Sequence, residues 1–516
     1  MKLALPRILW IAFFSIIVFS CKKNDGQLSQ DPKDRYALDA AQSDEFYTKH
    51  PEFKSYRSKI SELYTSDGNK MLWYDKDGRI DFAEVLYDKA LQIEKEGVPV
   101  DLPYKSEYAD LFEQRDTKKP STEDDMLVSA LYIFYVDKVY AGIPPVQSRK
   151  MGWFLPRKKI SYVSYLDTLM QDPSLLKAGK METFSQYENL RKALGKYREI
   201  EKKGGWATIA SIGKKTLKKG DSDAIVAQVR KRLTISGDLN SDSGSLVFDA
   251  ELEDAIVSFN KRRFMDDKII NAELIKELNV PVSERIKTIV VNMERCRWIS
   301  PDFEKAFEYV AVNIPSYHLT YIKDGKPALE SNVVVGKALN KTVVFSGKMS
   351  YLVFSPYWNI PKSIVKKEIE PNIAKDPNYL EKENIEKVGE NYRQKPGPKN
   401  SLGLVKFMFP NNNNIYLHDS PAKSLFNRDE RAFSHGCVRV QKAKELAYKI
   451  LEDDKRMSRS KIDEAMNSGE EKQYPLNRKI PVYIAYFTAM ADENGNVAFF
   501  DDVYNRDPRL ARLLYN

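Results

Sequence analysis

Cysteine and histidine are scarce in this chain of 516 residues. Its three cysteines, Cys21, Cys296 and Cys437, are far apart, and none belongs to a CxxC pair. Such spacing indicates neither a disulfide framework nor a structural zinc site. The sequence therefore predicts a fold that is held together by its core, with no metal centre.

The charge of the chain is not of one sign. It has 82 basic and 73 acidic residues and a formal net charge of +9, and both signs are mixed along the sequence. A nucleic-acid-binding protein usually has a basic stripe or arm. The composition therefore argues against a nucleic-acid partner. The length predicts about three domains of roughly 150 residues each.

The apolar run near the N-terminus is too short to cross a membrane as a helix. Ile8 to Phe19 gives 12 uncharged, mainly apolar residues, whereas a spanning helix needs about 20. A basic start, this run and Ser20 before Cys21 are typical of a signal peptide over residues 1–21. The end of the run resembles a lipoprotein processing site, which implies that Cys21 becomes the lipidated N-terminus. A simple signal peptide with an incidental cysteine and an uncleaved anchor are the alternatives.

All three interpretations place the rest of the chain outside the cytoplasm. We expect a protein of the cell envelope that is exported to the periplasm. A lipid on Cys21 would add the membrane as a partner. Residues 22–43 are mostly polar and are predicted to be a tether.

Helical signals dominate residues 44–215. Apolar residues recur at helical spacing from Phe82 to Ile93 and again from Met126 to Tyr135. Ser121 and the acidic residues after it offer a helix cap just before the second run. These signals predict a mostly α-helical domain.

Residues 216–282 form a second helical unit. Hydrophobic spacing predicts three helices, namely Ile225 to Leu233, Phe248 to Phe259, and Ala272 to Leu278. Three helices with a Gly237-Asp238 turn resemble a peptidoglycan-binding-like module. The resemblance implies that the unit binds glycan, and a spacer between domains is the alternative. Residues 283–308 are predicted to be a connector.

The hydrophobic period changes from helical to alternating in residues 309–505. Asn494-Gly495 is typical of a tight turn and predicts a hairpin of Val482 to Ala489 with Val497 to Phe500. This region is therefore predicted to be β-rich and to be followed by a C-terminal tail, residues 506–516. Together the units predict a multidomain α+β fold.

Two segments interrupt the β pattern. Residues 362–399 are charged, contain four prolines and are long for a loop. Long insertions next to a site often act as lids, so this segment is predicted to cap the site. A surface excursion without a role is the alternative. Asp453 to Gln473 is predicted to be solvated helix or disorder.

The residues that carry chemistry lie in two short segments. Ser434-His435-Gly436-Cys437 follows a strand candidate, and His418 ends the apolar segment Ile415-Tyr416-Leu417, with 15 residues between His418 and Ser434. A cysteine is a good nucleophile only as the thiolate, so it needs a base, which a histidine at a strand end can supply. Glycine before the cysteine lets backbone N–H groups approach a developing oxyanion. Arg439 either assists the turn or holds a substrate carboxylate.

Each of these residue types also has an ordinary structural role. A buried cysteine is usually a small hydrophobic residue, and a lone histidine is usually structural. We assign such a role to Cys296 and a surface or structural role to His50 and His318, and we place His318 on the outer face of its strand. Two histidines and a cysteine in one motif instead favour catalysis at Cys437.

The histidine, the 15-residue spacing and the Ser-His-Gly-Cys sequence match the signature of the L,D-transpeptidase (YkuD-type) family. The chain also resembles the large, YcbB-like members of that family. The further matching segments are Pro356–Pro361, Pro396–Gly403, Asn427–Arg431, and Asn292–Arg295 with Trp298. The resemblance covers residues 44–505. It implies a helical scaffold domain, a peptidoglycan-binding-like module and a catalytic domain with a capping insertion.

The resemblance also implies a role for each residue of the motif. Cys437 is the nucleophile, and His418 is the general base and acid, with His435 as the alternative candidate for the base. Backbone amides near Gly436 and Cys437 face the oxyanion, with His435 and Ser434 in support. The implied substrate-binding residues are Arg439, Tyr416 and Trp358.

The implied reaction is acyl transfer between peptidoglycan stem peptides, without a metal or nucleotide cofactor. A tetrapeptide donor acylates Cys437, and the amine of an acceptor stem then forms a 3-3 cross-link in cell wall biogenesis. The same residues would also serve an L,D-carboxypeptidase or a transferase that links a protein to the wall. A non-catalytic wall-binding lipoprotein is the alternative from a different class. The sequence identifies no protein partner.

Overall fold

The computed structural model describes residues 35–113, 120–178 and 183–515. The predicted signal peptide, Cys21 and residues 22–34 of the tether lie outside these ranges, so those assignments stay predictions. The described chain is mainly helical up to Arg297 and rich in strands from Glu308 onward. The predicted multidomain α+β fold is therefore confirmed.

Short helices and three two-residue strands make up the described N-terminal region. The helices are α1 (Ala40–Lys49), α2 (Arg57–Ser66), α3 (Asp81–Leu91), α4 (Lys105–Glu113), α5 (Thr122–Val136), α6 (Pro145–Lys150), α7 (Tyr162–Gln171), α8 (Ser174–Ala178) and α9 (Ser185–Lys202). The strands are β1 (Tyr74–Asp75), β2 (Gly78–Arg79) and β3 (Trp153–Phe154). The mostly helical character follows the spacing of the apolar residues.

Helix α5 is the buried centre of this region. A capping box closes its N-terminus, in which Ser121 Oγ accepts from Asp124 N and the Asp124 carboxylate accepts from Ser121 N. Every residue from Met126 to Val136 is buried, as expected of a helix that is apolar on all sides. Within the described ranges, Thr122–Lys150 is the helical run with the length and apolar character to cross a membrane, and 72% of its apolar stretch of 18 residues is buried inside the protein.

The next three helices form a separate unit with its own core. They are α10 (Ala224–Ser236), α11 (Ala250–Arg262) and α12 (Ala272–Leu278). Side-chain oxygens of Asp223, Asp249 and Asn271 cap their N-termini. Gly237 ends α10 in the left-handed conformation, with φ of 81°. The helices lie where the hydrophobic spacing predicted them.

Helix α13 (Val282–Arg297) leads into the C-terminal region. The strands of this region are β4 (Glu308–Asn313), β5 (His318–Lys323), β6 (Lys326–Gly336), β7 (Val344–Phe354), β8 (Trp358–Asn359), β9 (Ile385–Val388), β10 (Asn391–Gln394), β11 (Val405–Met408), β12 (Leu417–His418), β13 (Ala432–Ser434), β14 (Val438–Val440), β15 (Lys472–Ala485), β16 (Ala489–Ala491) and β17 (Val497–Phe499). The helices are α14 (Lys362–Ile364), α15 (Glu370–Lys375), α16 (Tyr379–Lys382), α17 (Ala443–Ile450), α18 (Arg459–Asn467) and α19 (Asp507–Tyr515).

Most of these strands close into a ring. Hydrogen-bonded neighbours follow the order β11-β12-β14-β6-β5-β4-β15-β7, and β7 pairs again with β11. The ring surrounds an apolar core that includes Val310, Leu319, Leu352, Leu417 and Val438. Strands β12 and β14 are parallel neighbours. This arrangement places the two segments that carry chemistry side by side.

The helical region and the ring of strands share one continuous core. Strand β3 of the helical region pairs in parallel with β7 of the ring. Helix α13 packs against α9, and α19 packs against α13, with Leu510 and Leu514 of α19 buried. Helix α13 therefore joins the two regions as a buried strut. Residues 507–515, predicted only as a tail, take part in this packing.

Residues 362–399 form a folded unit rather than a long loop. Helices α14 to α16 and the β9–β10 hairpin fill the segment, and β10 also pairs with β8. Ile360, Ile364, Val365, Ile369 and Ile385 form a small separate core. This core explains how a charged, proline-containing segment keeps a defined shape next to the ring.

One local prediction is wrong. The C-terminal hairpin pairs β16 with β17, because residues 482–485 belong to β15, where Val482 pairs with Val310. His318 lies on the outer face of β5, opposite Leu319 and Tyr321, but it is buried there because Phe264 of the three-helix unit stacks on its ring with 3.7 Å between the ring centroids. The second interrupting segment, Asp453 to Gln473, was predicted to be solvated helix or disorder, and it forms helix α18.

Candidate active site

Two neighbouring parallel strands bring the catalytic candidates together. Strand β12 ends with His418, and β14 begins one residue after Cys437. The register pairs His418 with Arg439. Because residues two apart on a strand share a face, Tyr416, His418, Cys437 and Arg439 all lie on one side of the pair.

The thiol of Cys437 is half-buried. Its Sγ donates to the carbonyl oxygen of Asn414 at 3.6 Å. Burial raises the pKa of the Cys437 thiol, and hydrogen bonds from Tyr416 and the charges of Lys406 and Arg439 offset only part of that rise. The neutral thiol is therefore the main form at neutral pH. A nucleophilic attack by Cys437 needs a base.

His418 is buried, and the main chain orients its ring. Its Nδ1 lies 2.5 Å from the carbonyl oxygen of Asp419. We assign the ring hydrogen to Nδ1 because a carbonyl can only accept, which leaves a lone pair on Nε2. Burial, and then the positive charge of Arg439, lowers the pKa of His418 to about 3. His418 is therefore neutral at physiological pH, in the form that can accept a proton.

The turn that carries Cys437 depends on Gly436 and Ser434. Gly436 has φ of 122°, a conformation that favours glycine. Its N–H donates to Ser434 Oγ at 3.1 Å, and Ser434 Oγ donates to the Cys437 carbonyl oxygen at 2.5 Å. Ser434 thus braces the turn. The Gly436 N–H can donate to an oxyanion only if its hydrogen bond to Ser434 Oγ breaks.

Residues distant in the sequence hold this turn in place. Thr342 Oγ1 donates to the Gly436 carbonyl oxygen at 2.8 Å and accepts from Gly336 N at 2.9 Å. Tyr504 OH donates to the Gly336 carbonyl oxygen at 2.6 Å and accepts from Thr342 N at 3.1 Å. A Cβ added to Gly336 would lie 3.1 Å from Gly436 Cα, so glycine allows the two turns to pack closely. Thr342 and Tyr504 were not predicted from the sequence, because no local pattern marks them.

Positive groups line the site beside Cys437. Lys406 Nζ lies 4.6 Å from the centroid of the Tyr416 ring, and burial lowers the pKa of Lys406. Arg439 Nε is buried and has no hydrogen-bond partner in the described part of the chain. A guanidinium with a free donor suits a carboxylate ligand. The structure therefore adds Lys406 to the predicted Arg439.

The insertion approaches the catalytic motif through Glu368. Glu368 Oε1 lies 3.5 Å from His435 Nε2. Glu368 belongs to a π-helical turn, Val365–Ile369, between α14 and α15, and such turns are frequent at functional sites. Trp358 packs against the insertion's own core. Of the predicted site residues, His435 and Trp358 thus face the insertion, whereas Tyr416 and Arg439 lie beside Cys437.

Comparison with protein families identifies two regions of the chain. Residues 308–462, which include Cys437 and His418, match the family model for the L,D-transpeptidase catalytic domain, YkuD. Residues 58–194 match the family model named Scaffold domain. The chain therefore contains an L,D-transpeptidase catalytic domain and a Scaffold domain.

A Haemophilus influenzae protein that carries the provisional name L,D-transpeptidase is 35% identical over 243 residues. The match covers 43% of this chain and 48% of that protein, so the chain spans about half the length of this curated relative. An L,D-transpeptidase structure from Stackebrandtia nassauensis has 15% identity and a TM-score of 0.20, and covers 52% of this chain and 96% of its own. One from Mycobacterium smegmatis has 13% identity and a TM-score of 0.21, with 35% and 58% covered.

Proposed function

We propose that this chain is a peptidoglycan L,D-transpeptidase of the cell envelope that forms 3-3 cross-links between stem peptides. One observation carries the proposal: Cys437 and His418 lie on the same face of adjoining strands inside an L,D-transpeptidase catalytic domain. The thiol supplies a nucleophile, and the neutral, buried imidazole supplies a base.

In the first half-reaction, Cys437 Sγ turns from the Asn414 carbonyl and gives its proton to His418 Nε2. Sulfur forms a bond to the carbonyl carbon of the third residue of a donor tetrapeptide, and the π-electron pair moves to the carbonyl oxygen. N–H groups of the Cys437 turn are the candidate donors to that oxyanion. The amide bond to the terminal D-Ala then breaks, and the leaving amine takes the proton from His418. A thioester remains on Cys437.

In the second half-reaction, the side-chain amine of an acceptor stem attacks the thioester carbonyl carbon. The C–S bond breaks, the new amide forms, and His418 passes the amine proton to the Cys437 thiolate. Arg439 and Lys406 bind the carboxylates of the stem peptides beside the reacting atoms. Tyr416 and Trp358 form the walls that orient the peptides.

Product analysis by mass spectrometry tests this proposal. The chain from residue 27 onward is incubated with purified disaccharide-tetrapeptide, and the Cys437→Ala variant serves as the blank. A dimer that has lost one D-Ala is expected with the unaltered chain and not with the blank. A tripeptide without dimer would instead identify an L,D-carboxypeptidase. No turnover and no carbapenem adduct on Cys437 would favour a wall-binding protein without catalysis.

A role for residues 362–399 as a cap gives a second prediction. Without this segment, water should reach the thioester on Cys437 more easily. We expect deletion of the segment to raise the ratio of hydrolysed tripeptide to dimer by about tenfold, which corresponds to 1.36 kcal/mol between the competing barriers.

A pair of variants tests the contact of this segment with the motif. Glu368→Gln removes the charge next to His435 and should shift the product ratio in the same direction as the deletion. Glu370→Gln, an exposed glutamate just beyond the π-helical turn, should leave the ratio unchanged. An unchanged ratio in the deletion variant would show that the segment is no cap.

A further inference from the structure

We propose that the cleft between the three-helix unit and the catalytic domain binds the zwitterionic end of an amino acid, with a carboxylate on Arg431 and an ammonium group among the carboxylates around it. The cleft has a volume of about 560 Å³, within the range of ligand sites, which often lie between domains. Its walls come from residues 263–267 of the three-helix unit, from residues 426–431 before β13, and from residues 499–503 at and after the end of β17.

Arg431 is the anion-binding part of this site. Its side chain lines the cleft, although only 7% of the residue is exposed. Nη1 donates to the carbonyl oxygen of Phe426 at 3.1 Å, and Nε has no hydrogen-bond partner. In the described part of the chain, no carboxylate lies at ion-pair distance from Arg431. A buried guanidinium without a counter-ion is costly, so an incoming carboxylate that forms two hydrogen bonds with it would be bound favourably.

Carboxylates from three separate elements surround the same cleft. Glu273 lies on α12, Asp429 precedes β13, and Asp501 follows β17. Burial, and then the charge of Asp429, raises the pKa of Glu273, and Asp501 acts in the same direction. These carboxylates therefore face one another across the domain boundary. A cation between them would relieve their repulsion.

The neighbouring cations form no ion pair with these carboxylates in the described ranges, although the charge of Arg263 opposes the rise in the pKa of Glu273. Arg263 is paired with Glu277 at 3.7 Å, and Arg428 lies over the Phe433 ring at 5.2 Å. In the described ranges, no group of three or more side chains could hold a metal ion. The cation proposed for this half of the cleft is an ammonium group, which has three hydrogen-bond donors.

The orientation of the cleft walls is fixed before a ligand arrives. The Phe264 ring stacks on His318 with 3.7 Å between centroids and docks the three-helix unit on β5. On the other wall, Val335 N donates to the Arg431 carbonyl oxygen at 2.9 Å, which ties Arg431 to β6. A site with two charged halves at fixed positions selects a ligand that carries both charges.

The identity of the natural ligand rests on the proposed function. A stem peptide whose diamino acid is not yet cross-linked ends its side chain in an ammonium group next to a carboxylate. Cross-linking converts that amine to an amide and removes its charge. The cleft would therefore hold the enzyme on wall regions that still contain free acceptor stems, at a position separate from Cys437.

Calorimetric titration tests this inference on the Cys437→Ala chain from residue 27 onward, in which no acyl transfer occurs. The probes are meso-diaminopimelic acid, which carries both charges, pimelic acid, which lacks the amines, and 1,5-diaminopentane, which lacks the carboxylates. We expect diaminopimelic acid to bind about tenfold or more tightly than either analogue, because each analogue loses one set of charge-assisted hydrogen bonds.

Two cleft variants separate the two halves of the site. Asp429→Asn combined with Glu273→Gln should abolish the preference over pimelic acid, and Arg431→Gln should abolish the preference over diaminopentane. Glu464→Gln, an exposed glutamate on α18, should change neither. Because Arg431 is buried, the carboxylate variant keeps the test valid if Arg431→Gln does not fold.

Several outcomes would overturn the inference. These are no heat of binding with diaminopimelic acid, equal binding of pimelic acid, or binding of the peptide-free disaccharide in its place. The result is independent of the chemistry at Cys437. Dimer formation without binding in the cleft would refute this inference alone, whereas binding in the cleft without dimer formation would refute the proposed function alone.

Discussion

Replacing His418 with alanine is expected to slow acylation of Cys437 by about a thousandfold at neutral pH, within the range that general bases contribute. The pKa of the Cys437 thiol is raised by burial, so little thiolate exists at neutral pH without a base. His418 is held by its Nδ1 bond to Asp419 and, with a pKa of about 3, stays neutral. Acylation by a carbapenem, followed by intact-protein mass spectrometry, measures the effect.

The pH profile distinguishes loss of the base from a general structural defect. With His418 present, its depressed pKa keeps the base form populated, so the acylation rate should be nearly constant between about pH 5 and 8. Without it, the rate should follow the thiolate fraction and rise about tenfold per pH unit up to the thiol pKa. A flat profile for His418→Ala would refute the assignment.

His435→Ala is the matched control. The His435 side chain is partly exposed and faces Glu368 at 3.5 Å, and it lies at the insertion rather than beside the buried strands. We expect its loss to change the acylation rate only a few-fold and to leave the flat profile unchanged. A thousandfold loss in His435→Ala, with little change in His418→Ala, would transfer the role of base to His435.

The sequence predicts the local parts of this site because they depend on short segments. A strand that ends in His418 and a turn that leads into Cys437 each have a local pattern, and the family signature links the two. The support of the turn is different. Thr342 and Tyr504 are ordinary residues of loops, and their bonds to Gly436 and Gly336 span 94 and 168 residues. Contacts between residues so far apart leave no periodic pattern in the sequence from which they could be predicted.

His318 shows the limit of hydrophobic alternation in a multidomain chain. Alternation indicates which residues face a sheet's own core, but not what another domain places on the opposite face. Here Phe264 of the three-helix unit covers His318, and the same docking creates the cleft around Arg431. Neither the stack nor the cleft follows from the strand pattern of β5, since both depend on how the two units pack.

The junction of the scaffold and catalytic regions also depends on contacts between distant segments, and Glu294 on α13 is its centre. Glu294 Oε1 accepts from Ile143 N at 2.6 Å and from Trp298 Nε1 at 2.7 Å. Its Oε2 pairs with Arg297 Nη1 at 3.0 Å, and the side chains of this pair are only 2% and 1% exposed. A Cβ on Gly142 would lie 2.2 Å from Oε1, so glycine permits this approach.

We expect Glu294→Ala to lower the free energy of unfolding by about 3–5 kcal/mol, the usual result of removing one partner of a buried ion pair. Arg297 would lose its carboxylate, and Ile143 N and Trp298 Nε1 would lose their acceptor. Urea denaturation followed by tryptophan fluorescence measures the change. Glu284→Ala on the same helix removes an exposed pair with Lys287 and should cost less than about 1 kcal/mol. Equal effects of the two variants would mean that α13 is not the strut that joins the scaffold to the catalytic ring.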